Sequence, residues 1–573
     1  MPFKSDFYKK VTLRKEHTKY LSIPFIFICA YYIAKYFLIA AYGTTLGDFG
    51  VYYYIPKAVL ELARPEHPYT NFTPIYPYFF PPASIPLFKI LLFFPYYLAK
   101  YIWTILNFSL ILGSLYLMFD YFNKKIDWTY FFLLSISLAF HPTQFTLREG
   151  QFNIVMLFIF TIVLWGIKKN KSIKPGILLG IGVVTKISPA LLLIYAMYKK
   201  HYKLAFIAIL TILSLTILAE IKVKKGINFY YLSHVMADVS TQSKGINNRD
   251  QSILGLVKKI DFKDPKIHIA KKTLSKDNIR SLISYSIVGT FLAIYLLADL
   301  YKKSKKNTEI DYAILLIIGV IGTGLTWFHQ YTMLLLALYI LFFVIQKIEN
   351  KNNKILAWGV FFISYFLMFR TSSFYQPGGK LLPQINLILG GFIMLILFLY
   401  LKVTDIKLKT SNKRVATTFE KKNLLYLVFL VSLSGVFLFT LNSNPVEYLK
   451  QGRDRARIKA TNTMGKALQE NKPGLLKGES NSYIKSQKLD EGFVMFKKQE
   501  NNKVRSQLSI LLLDPINNSE YNINFKSEGK KDFILSTKLE SQQYKNSYGE
   551  LYRVSCKENY TECEYPNTKE FYN

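Results

Sequence analysis

The sequence is poor in acid: its 573 residues carry 73 Lys and Arg against 37 Asp and Glu, a formal charge of +36. Cysteine is scarcer, at three, which excludes a fold held by many disulfides or by cysteine-rich zinc sites. No Gly-x-x-x-x-Gly-Lys-Ser/Thr loop, Gly-x-Gly-x-x-Gly fingerprint, Cys/His ligand set or Asp-x-Asp pair in an external loop occurs. An ATP-driven or zinc-dependent mechanism therefore has no footing, and no metal or other cofactor is expected. In a soluble protein such an excess of lysine would point to nucleic acid. Here the lysines sit in short tracts between apolar runs, so the expectation is membrane topology with anionic lipids as counter-charge, and no nucleic-acid partner.

Apolar residues are what the chain has in plenty: 51% of it is hydrophobic and 16% aromatic. They cluster in runs such as Leu21 to Ala41, Tyr101 to Phe119, Phe152 to Ile167, Leu204 to Leu218 and Leu282 to Leu297. Each is near the roughly 20 residues that cross a bilayer as a helix. The pattern predicts an all-α polytopic membrane protein. The first run is long, contains Lys35 and lacks a small-residue cleavage site before Gly43, so it is expected to stay as a span.

Charge sets the orientation. Lys4, Lys9, Lys10, Arg14, Lys15 and Lys19 predict a cytoplasmic tail over 1–19 and a first span at 20–42 running outward. The segment Phe79 to Phe94 is short and bracketed by Pro81, Pro82, Pro86 and Pro95. Read as an external interfacial helix rather than a span, it keeps Lys124, Lys125 and the tract Lys168 to Lys174 inside. Spans then fall at 98–119, 128–141, 152–167, 175–186, 187–198, 204–221, 281–300, 310–328, 331–346, 355–370, 387–401 and 424–441, about thirteen in all by the length rule. The stretch 175–198 is too short for two straight spans and reads as a broken hairpin around Lys186 and Pro189. A transmembrane domain over 20–441 results, in the cell (inner or plasma) membrane, with external loops at 43–97 and 222–280.

From 442 to 573 the composition turns to Lys, Glu, Asn and Ser. Residues 445–470 read as helix, and Gln507 to Leu513, Tyr521 to Phe525, Phe533 to Thr537 and Glu550 to Val554 as short strands. A small extracytoplasmic α+β domain is expected. Cys556 and Cys563 are close enough in sequence to bridge there, which an oxidising compartment would preserve, whereas Cys29 reads as a small buried hydrophobe.

Several polar residues collect on the external side in this topology. Asp48, in Gly-Thr-Thr-Leu-Gly-Asp-Phe-Gly at 43–50, reads as a general base beside a glycine turn, or as an acid that merely ends a helix. Arg148 fits a phosphate, and Gln151 and Asn153 fit hydroxyls; helix capping and headgroup contact are the plainer alternative. Lys186 has no basic neighbours in Val-Val-Thr-Lys-Ile-Ser-Pro and calls for an anionic partner, unless it snorkels to lipid phosphate. His329 can donate to a phosphate oxygen or relay a proton, or serve as an ordinary interfacial residue.

The order of these pieces carries a likeness. An outward Asp after span one is followed by Tyr-x-x-Pro-Pro at Tyr78 to Pro82 and Gly-Gln-x-Asn at Gly150 to Asn153. Then come Gly-x-x-x-Gly…Lys-x-x-Pro at Gly176 to Pro189, Asp-Gln-Ser at 250–252 and Trp-x-His at 327–329. Together they resemble glycosyltransferase family 87 of the GT-C superfamily, which includes polyprenyl-phosphate-mannose-dependent mannosyltransferases, over about residues 20–400. The resemblance implies a GT-C-like membrane fold and inverting transfer of a sugar, such as mannose, from a polyprenyl-phosphate donor to a hydroxyl of a glycolipid or glycan at the external face. It implies Asp48 as catalytic base, Arg148, Lys186 and His329 at the donor phosphate, and Tyr78, Gln151, Asn153 and Gln251 at the substrates. Two positions depart from the family pattern: Asp250 stands where Asn is usual, and Gln330 where a second His is expected. The rival classes are a lipid or sugar transporter or flippase, for which no internal repeat is found, and a scaffold acting through 442–573.

Overall fold

The computed structural model describes residues 20–42, 47–60, 80–235, 250–259, 268–269, 272–273, 276–301, 308–369 and 382–404, with further short stretches between 454 and 564. The chain divides into two compact units, Met1–Tyr36 with Phe79–Gly435 and Phe37–Tyr78 with Val436–Asn573.

The described helices run in order α1 (Ser22–Tyr42), α2 (Gly47–Leu60), α3 (Ile85–Phe88), α4 (Tyr96–Tyr121), α5 (Trp128–Ala139) and α6 (His141–Glu149). They continue as α7 (Asn153–Lys168), α8 (Ile173–Thr185), α9 (Ala190–Tyr198), α10 (Tyr202–Lys222), α11 (Ile227–Tyr230) and α12 (Ile253–Lys259). The series closes with α13 (Lys276–Tyr301), α14 (Thr308–Ile321), α15 (Leu335–Lys347), α16 (Lys351–Phe369) and α17 (Leu382–Val403). All but α2 fall in the first unit wholly or, for α1, in greater part.

Six described helices are long and apolar enough to cross a membrane: Ser22–Ala40, Leu98–Tyr121, Tyr202–Lys222, Ile279–Leu300, Phe328–Lys347 and Ile385–Val403. The total is seven if α6 and α7, bent by 119°, form one broken span. The chain is thus a multi-pass membrane protein. The expected span at 424–441 lies outside the described residues; each other expected span overlaps a described helix, 310–328 only as far as Ile321, but six or seven helices qualify as spans where about thirteen are expected. Several of these are short: α5, α8 and α9 have 12, 13 and 9 residues. At about 1.5 Å per residue none covers a hydrocarbon layer of roughly 30 Å alone. Residues 80–94 form no span but a chain of short turns, Pro82–Ser84, α3 and Lys89–Phe93, with Ile85, Phe88 and Leu91 buried and Ile90 and Phe93 exposed. That half-buried apolar element suits an interface.

The core centres on Phe328–Lys347, nearly all of it buried. Phe343 stacks on Phe122 with centroids 4.6 Å apart, and Tyr339 shares a 2.6 Å hydrogen bond with Ser137 of α5. By contrast α10 and α13 leave Phe206, Ile217, Tyr285 and Leu297 exposed, the surface a lipid solvent accepts. Helices α8 and α10 approach closely through Gly176 and Gly180. A Cβ at Gly180 would stand 2.6 Å from Thr211 Cβ and 2.7 Å from the Ala208 carbonyl, so the small-x-x-x-small spacing sets this packing.

A charge cluster, buried at Asp311 and Lys402 and half-buried at Lys199 and Asp299, ties four helices of the first unit at another place. Lys199, just past α9, lies 2.7 Å from Asp299 of α13 and 3.0 Å from Asp311 of α14. Lys402 of α17 lies 2.7 Å from Asp299 and 2.6 Å from Asp311. Two cations face two anions, the condition under which charge can be buried at all.

In the second unit, α2 buries Phe49, Tyr52, Tyr53 and Ile55. Strands β5 (Ile523–Ser527), β6 (Phe533–Lys538), β7 (Leu551–Lys557) and β8 (Glu562–Glu564) form an antiparallel sheet in that order. They follow two short hairpins, one of β1 (His268–Ile269) with β2 (Lys272–Thr273) in the first unit and one of β3 (Val494–Glu500) with β4 (Lys503–Ile510). The helical residues 454, 458 and 461 are buried, and the Tyr552 hydroxyl donates to Asn462 Oδ1 at 2.9 Å. Cys556 and Cys563 are register partners on β7 and β8; their side chains lie outside the described residues.

Candidate functional site

Helix α6 breaks the chain before α7, in a segment the sequence reads as an external loop. Phe140 enters it in extended backbone, Pro142 occupies its first turn, and Gly150 ends it at φ 69°. That left-handed conformation suits glycine and closes the helix: the amides of Gly150 and Gln151 both reach the Thr146 carbonyl, the latter at 2.9 Å. The indole of Trp103 donates to the Gly150 carbonyl at 2.9 Å. The Gly-Gln-x-Asn motif is therefore a corner that starts α7 on Asn153, which is wholly buried.

Asn153 meets Lys186. Helix α8 ends at Thr185, Lys186 is extended at φ −143° and ψ 132°, and Pro189 caps the start of α9. Lys186 Nζ donates to Asn153 Oδ1 at 2.5 Å. The Asn153 Nδ2 is buried with no hydrogen-bond partner. An ammonium and a buried amide donor thus stand side by side, both able to bind an anionic oxygen.

A second group forms where α6 meets the 3-10 turn Phe328–Leu334. Thr146 Oγ1 donates to the His329 carbonyl at 3.1 Å and shares a 2.8 Å hydrogen bond with Thr332. The His329 ring, 3% exposed, stacks on Phe145 with centroids 6.0 Å apart. Arg148 lies over the same Phe145 ring, 4.5 Å from its centroid, and its Nε donates to Glu149 Oε1 at 3.0 Å. Arg148 and His329 are therefore brought together through Phe145, a residue that sequence reasoning passed over. The i, i+3 spacing of Phe145 and Arg148 on a short helix was the available signal.

The Asp-Gln-Ser motif has a structural role. Asp250 Oδ1 accepts from the amides of Ser252 and Thr326 at 2.9 and 3.0 Å, and Ser252 Oγ caps α12 by accepting from Gly255 at 2.9 Å. The Gln251 amide donates to the Thr326 carbonyl at 2.6 Å, and Tyr331 donates to the Gln251 carbonyl at 2.7 Å. This pins α12 beside Trp327 and His329. Burial raises the Asp250 carboxyl above its ordinary range against the pull of those two amides. Burial likewise lowers Lys259, which donates to the Asp250 carbonyl at 2.5 Å, to about 8.

Asp48 belongs to the second unit. It stands in the first turn of α2 and is half-buried, where a carboxylate complements the helix dipole. A helix therefore begins at Gly47 within the stretch read as an external loop, because Phe49, Tyr52 and Ile55 supply a buried stripe at helical spacing; residues 43–46 of the glycine turn lie outside the described residues. Tyr78 lies outside the described residues. Among the described residues no group of three or more His, Cys, Asp or Glu is placed to hold a metal ion.

These features define a membrane protein with polar and charged side chains at the breaks between its apolar helices. Residues 78–262 match the model of glycosyltransferase family 87, which supports the family likeness of the ordered motifs and points to a glycosyltransferase. The match takes in Arg148, Gln151, Asn153, Lys186 and Gln251, and leaves Asp48 and His329 beyond its ends. The chain matches no curated protein and no solved structure.

Proposed function

We propose that the protein transfers a sugar from a polyprenyl-phosphate donor to an acceptor hydroxyl of a glycolipid or glycan at the external face of the cell membrane. The observation that carries this reading is the Lys186–Asn153 pair, an ammonium aimed by a buried amide whose Nδ2 has no other partner. The leaving phosphate gains charge on its bridging oxygen as the glycosidic bond breaks, and preorganised donors stabilise that charge. Arg148 and His329 add a guanidinium and an imidazole to the same unit.

Asp48 takes the acceptor proton as the hydroxyl oxygen attacks the anomeric carbon opposite the phosphate. The new glycosidic bond forms with inversion, the old one breaks, and polyprenyl phosphate departs as an anion. Phosphate is already a competent leaving group, so the reaction needs neither a metal ion nor a general acid. The N-terminus is cytoplasmic in this reading. Residues 442–573 form an extracytoplasmic α+β domain, with Cys556 and Cys563 bridged.

The test uses the purified full chain in nanodiscs with a panel of polyprenyl-phosphate sugars. Transfer is expected for the wild type, and Asp48→Asn is expected to abolish it while donor binding persists. Near-wild-type turnover by Asp48→Asn overturns the base assignment. The 119° break between α6 and α7 also suits a transporter, whose sites use interrupted helices; movement of the lipid across a bilayer without product formation would favour that class.

A further inference from the structure

Helix α6 turns one face inward and one outward. Pro142, Thr143, Thr146 and Leu147 are buried, whereas His141, Gln144, Phe145 and Arg148 remain accessible. Gln144 is spent on its neighbours, accepting from Tyr36 at 3.2 Å and donating to the Ala139 carbonyl at 2.6 Å. His141 is not. Its Nδ1 is buried with no hydrogen-bond partner, and its ring meets Phe145 edge-on with centroids 6.3 Å apart. At the other end of the same ring series, Phe145 stacks on His329, and His329 meets Trp327 edge-on at 5.6 Å. The Trp327 Nε1 is likewise buried and unpartnered.

Buried polar atoms are nearly always satisfied, and each exception calls for an explanation. Two such atoms here flank one aromatic row, in which His141, Phe145 and Trp327 are partly accessible and His329 lies buried behind Phe145. An aromatic surface with a hydrogen-bonding group at each end fits a ring that is apolar on one face and hydroxylated at its rim. We propose that His141 and Trp327 are the two hydrogen-bonding ends of a sugar-recognition subsite built on the Phe145 and His329 rings. Trp327 Nε1 donates to a hydroxyl oxygen, and His141 Nδ1 exchanges a hydrogen bond with a second hydroxyl. The subsite rests on the sugar-transfer reading for its biological role, and the sugar it holds is that of the donor or that of the acceptor.

The experiment uses the full chain in nanodiscs, with methyl α-mannoside, glucoside, galactoside and N-acetylglucosaminide as probes in saturation-transfer NMR and polyprenyl phosphate as the sugar-free control. At least one glycoside is expected to bind the wild type. His141→Ala and Trp327→Phe, the latter keeping a ring but losing the N–H, are each expected to weaken it about fivefold or more, the worth of one hydrogen bond. His141→Gln should restore part of the loss. Binding of polyprenyl phosphate and the thermal midpoint should stay unchanged.

Where transfer is observed, a raised KM for the polyprenyl-phosphate sugar assigns the subsite to the donor, and a raised KM for the glycan assigns it to the acceptor. The proposal is overturned if no glycoside binds the wild type, if both variants bind like the wild type, or if they lose sugar-free polyprenyl phosphate equally. Glycoside binding that depends on these two residues without product from any donor would refute transfer and leave the subsite standing. Product formed with unaltered KM values in both variants would refute the subsite alone.

Discussion

Lys186 Nζ lies 2.5 Å from Asn153 Oδ1, so the cation that ends α8 is aimed by an amide wholly buried at the start of α7. A hydrogen bond to a charged group is worth about 1.5–3 kcal/mol. Lys186→Met is therefore expected to lower kcat/KM for a polyprenyl-phosphate donor by roughly 10- to 100-fold. Asn153→Asp should lower it comparably, because a carboxylate would neutralise the ammonium it now orients. Wild-type kinetics in Asn153→Asp would remove Lys186 from the phosphate.

Asp250 departs from the Asn usual in the resembling family, yet one of its oxygens accepts two backbone amides and the carboxyl also hydrogen-bonds the Ser252 side chain. An asparagine carbonyl can accept the same pair. Asp250→Asn is expected to keep the thermal midpoint and activity near wild type, whereas Asp250→Ala should cost about 1–3 kcal/mol by leaving buried amides unsatisfied. Thermal unfolding of the two variants in detergent checks this. Equal loss in both would mean that the charge itself matters.

The segments that sequence made legible are those with a strong local period. The apolar runs from α1 to α17 fall on helices, and the proline-bracketed stretch before α4 is no span. The strands β5, β6 and β7 overlap the alternating runs read there. Helix α6 was not legible, since its sequence His-Pro-Thr-Gln-Phe-Thr-Leu-Arg-Glu is too polar to look like a span and too short for a period to stand out. The same holds for the helical start at Asp48, where glycines on both sides suggest a turn. At the site, Arg148, Asn153, Lys186 and His329 were legible as lone polar residues among apolar ones. Phe145 and Thr146 were not, because their part is set by partners some 180 residues away in sequence: Phe145 stacks on His329, and Thr146 bonds to His329 and Thr332.

Lys259 offers a test in pH. Its folded value, lowered to about 8 by burial, lies below the ordinary lysine value of 10.5. Between these the unfolded chain binds more protons than the folded one, so stability rises with pH across that window and is flat with respect to this group below it. In Lys259→Met that rise should be missing. Thermal midpoints of both proteins between pH 7 and 10.5 measure the difference, and parallel curves would count against the burial argument.

Removing one member of a buried ion cluster strands its partners. Lys402 is almost fully buried between Asp299 and Asp311, so Lys402→Met is expected to destabilise by about 3–5 kcal/mol. Adding Asp311→Asn should recover part of that loss. A chemical denaturation series on the single and double variants decides the matter; additive losses would show the charges to be independent.

The same four charges impose an order on biosynthesis. Lys199 leaves the ribosome a hundred residues before Asp299, and Lys402 follows last, so the charge balance is complete only when α17 arrives. Until then the half-made bundle holds a charged gap that a membrane protease or chaperone can read. A chain stopped before α17 should be cleared faster in pulse-chase than one stopped just after Lys402, which would make α17 the latch that ends assembly.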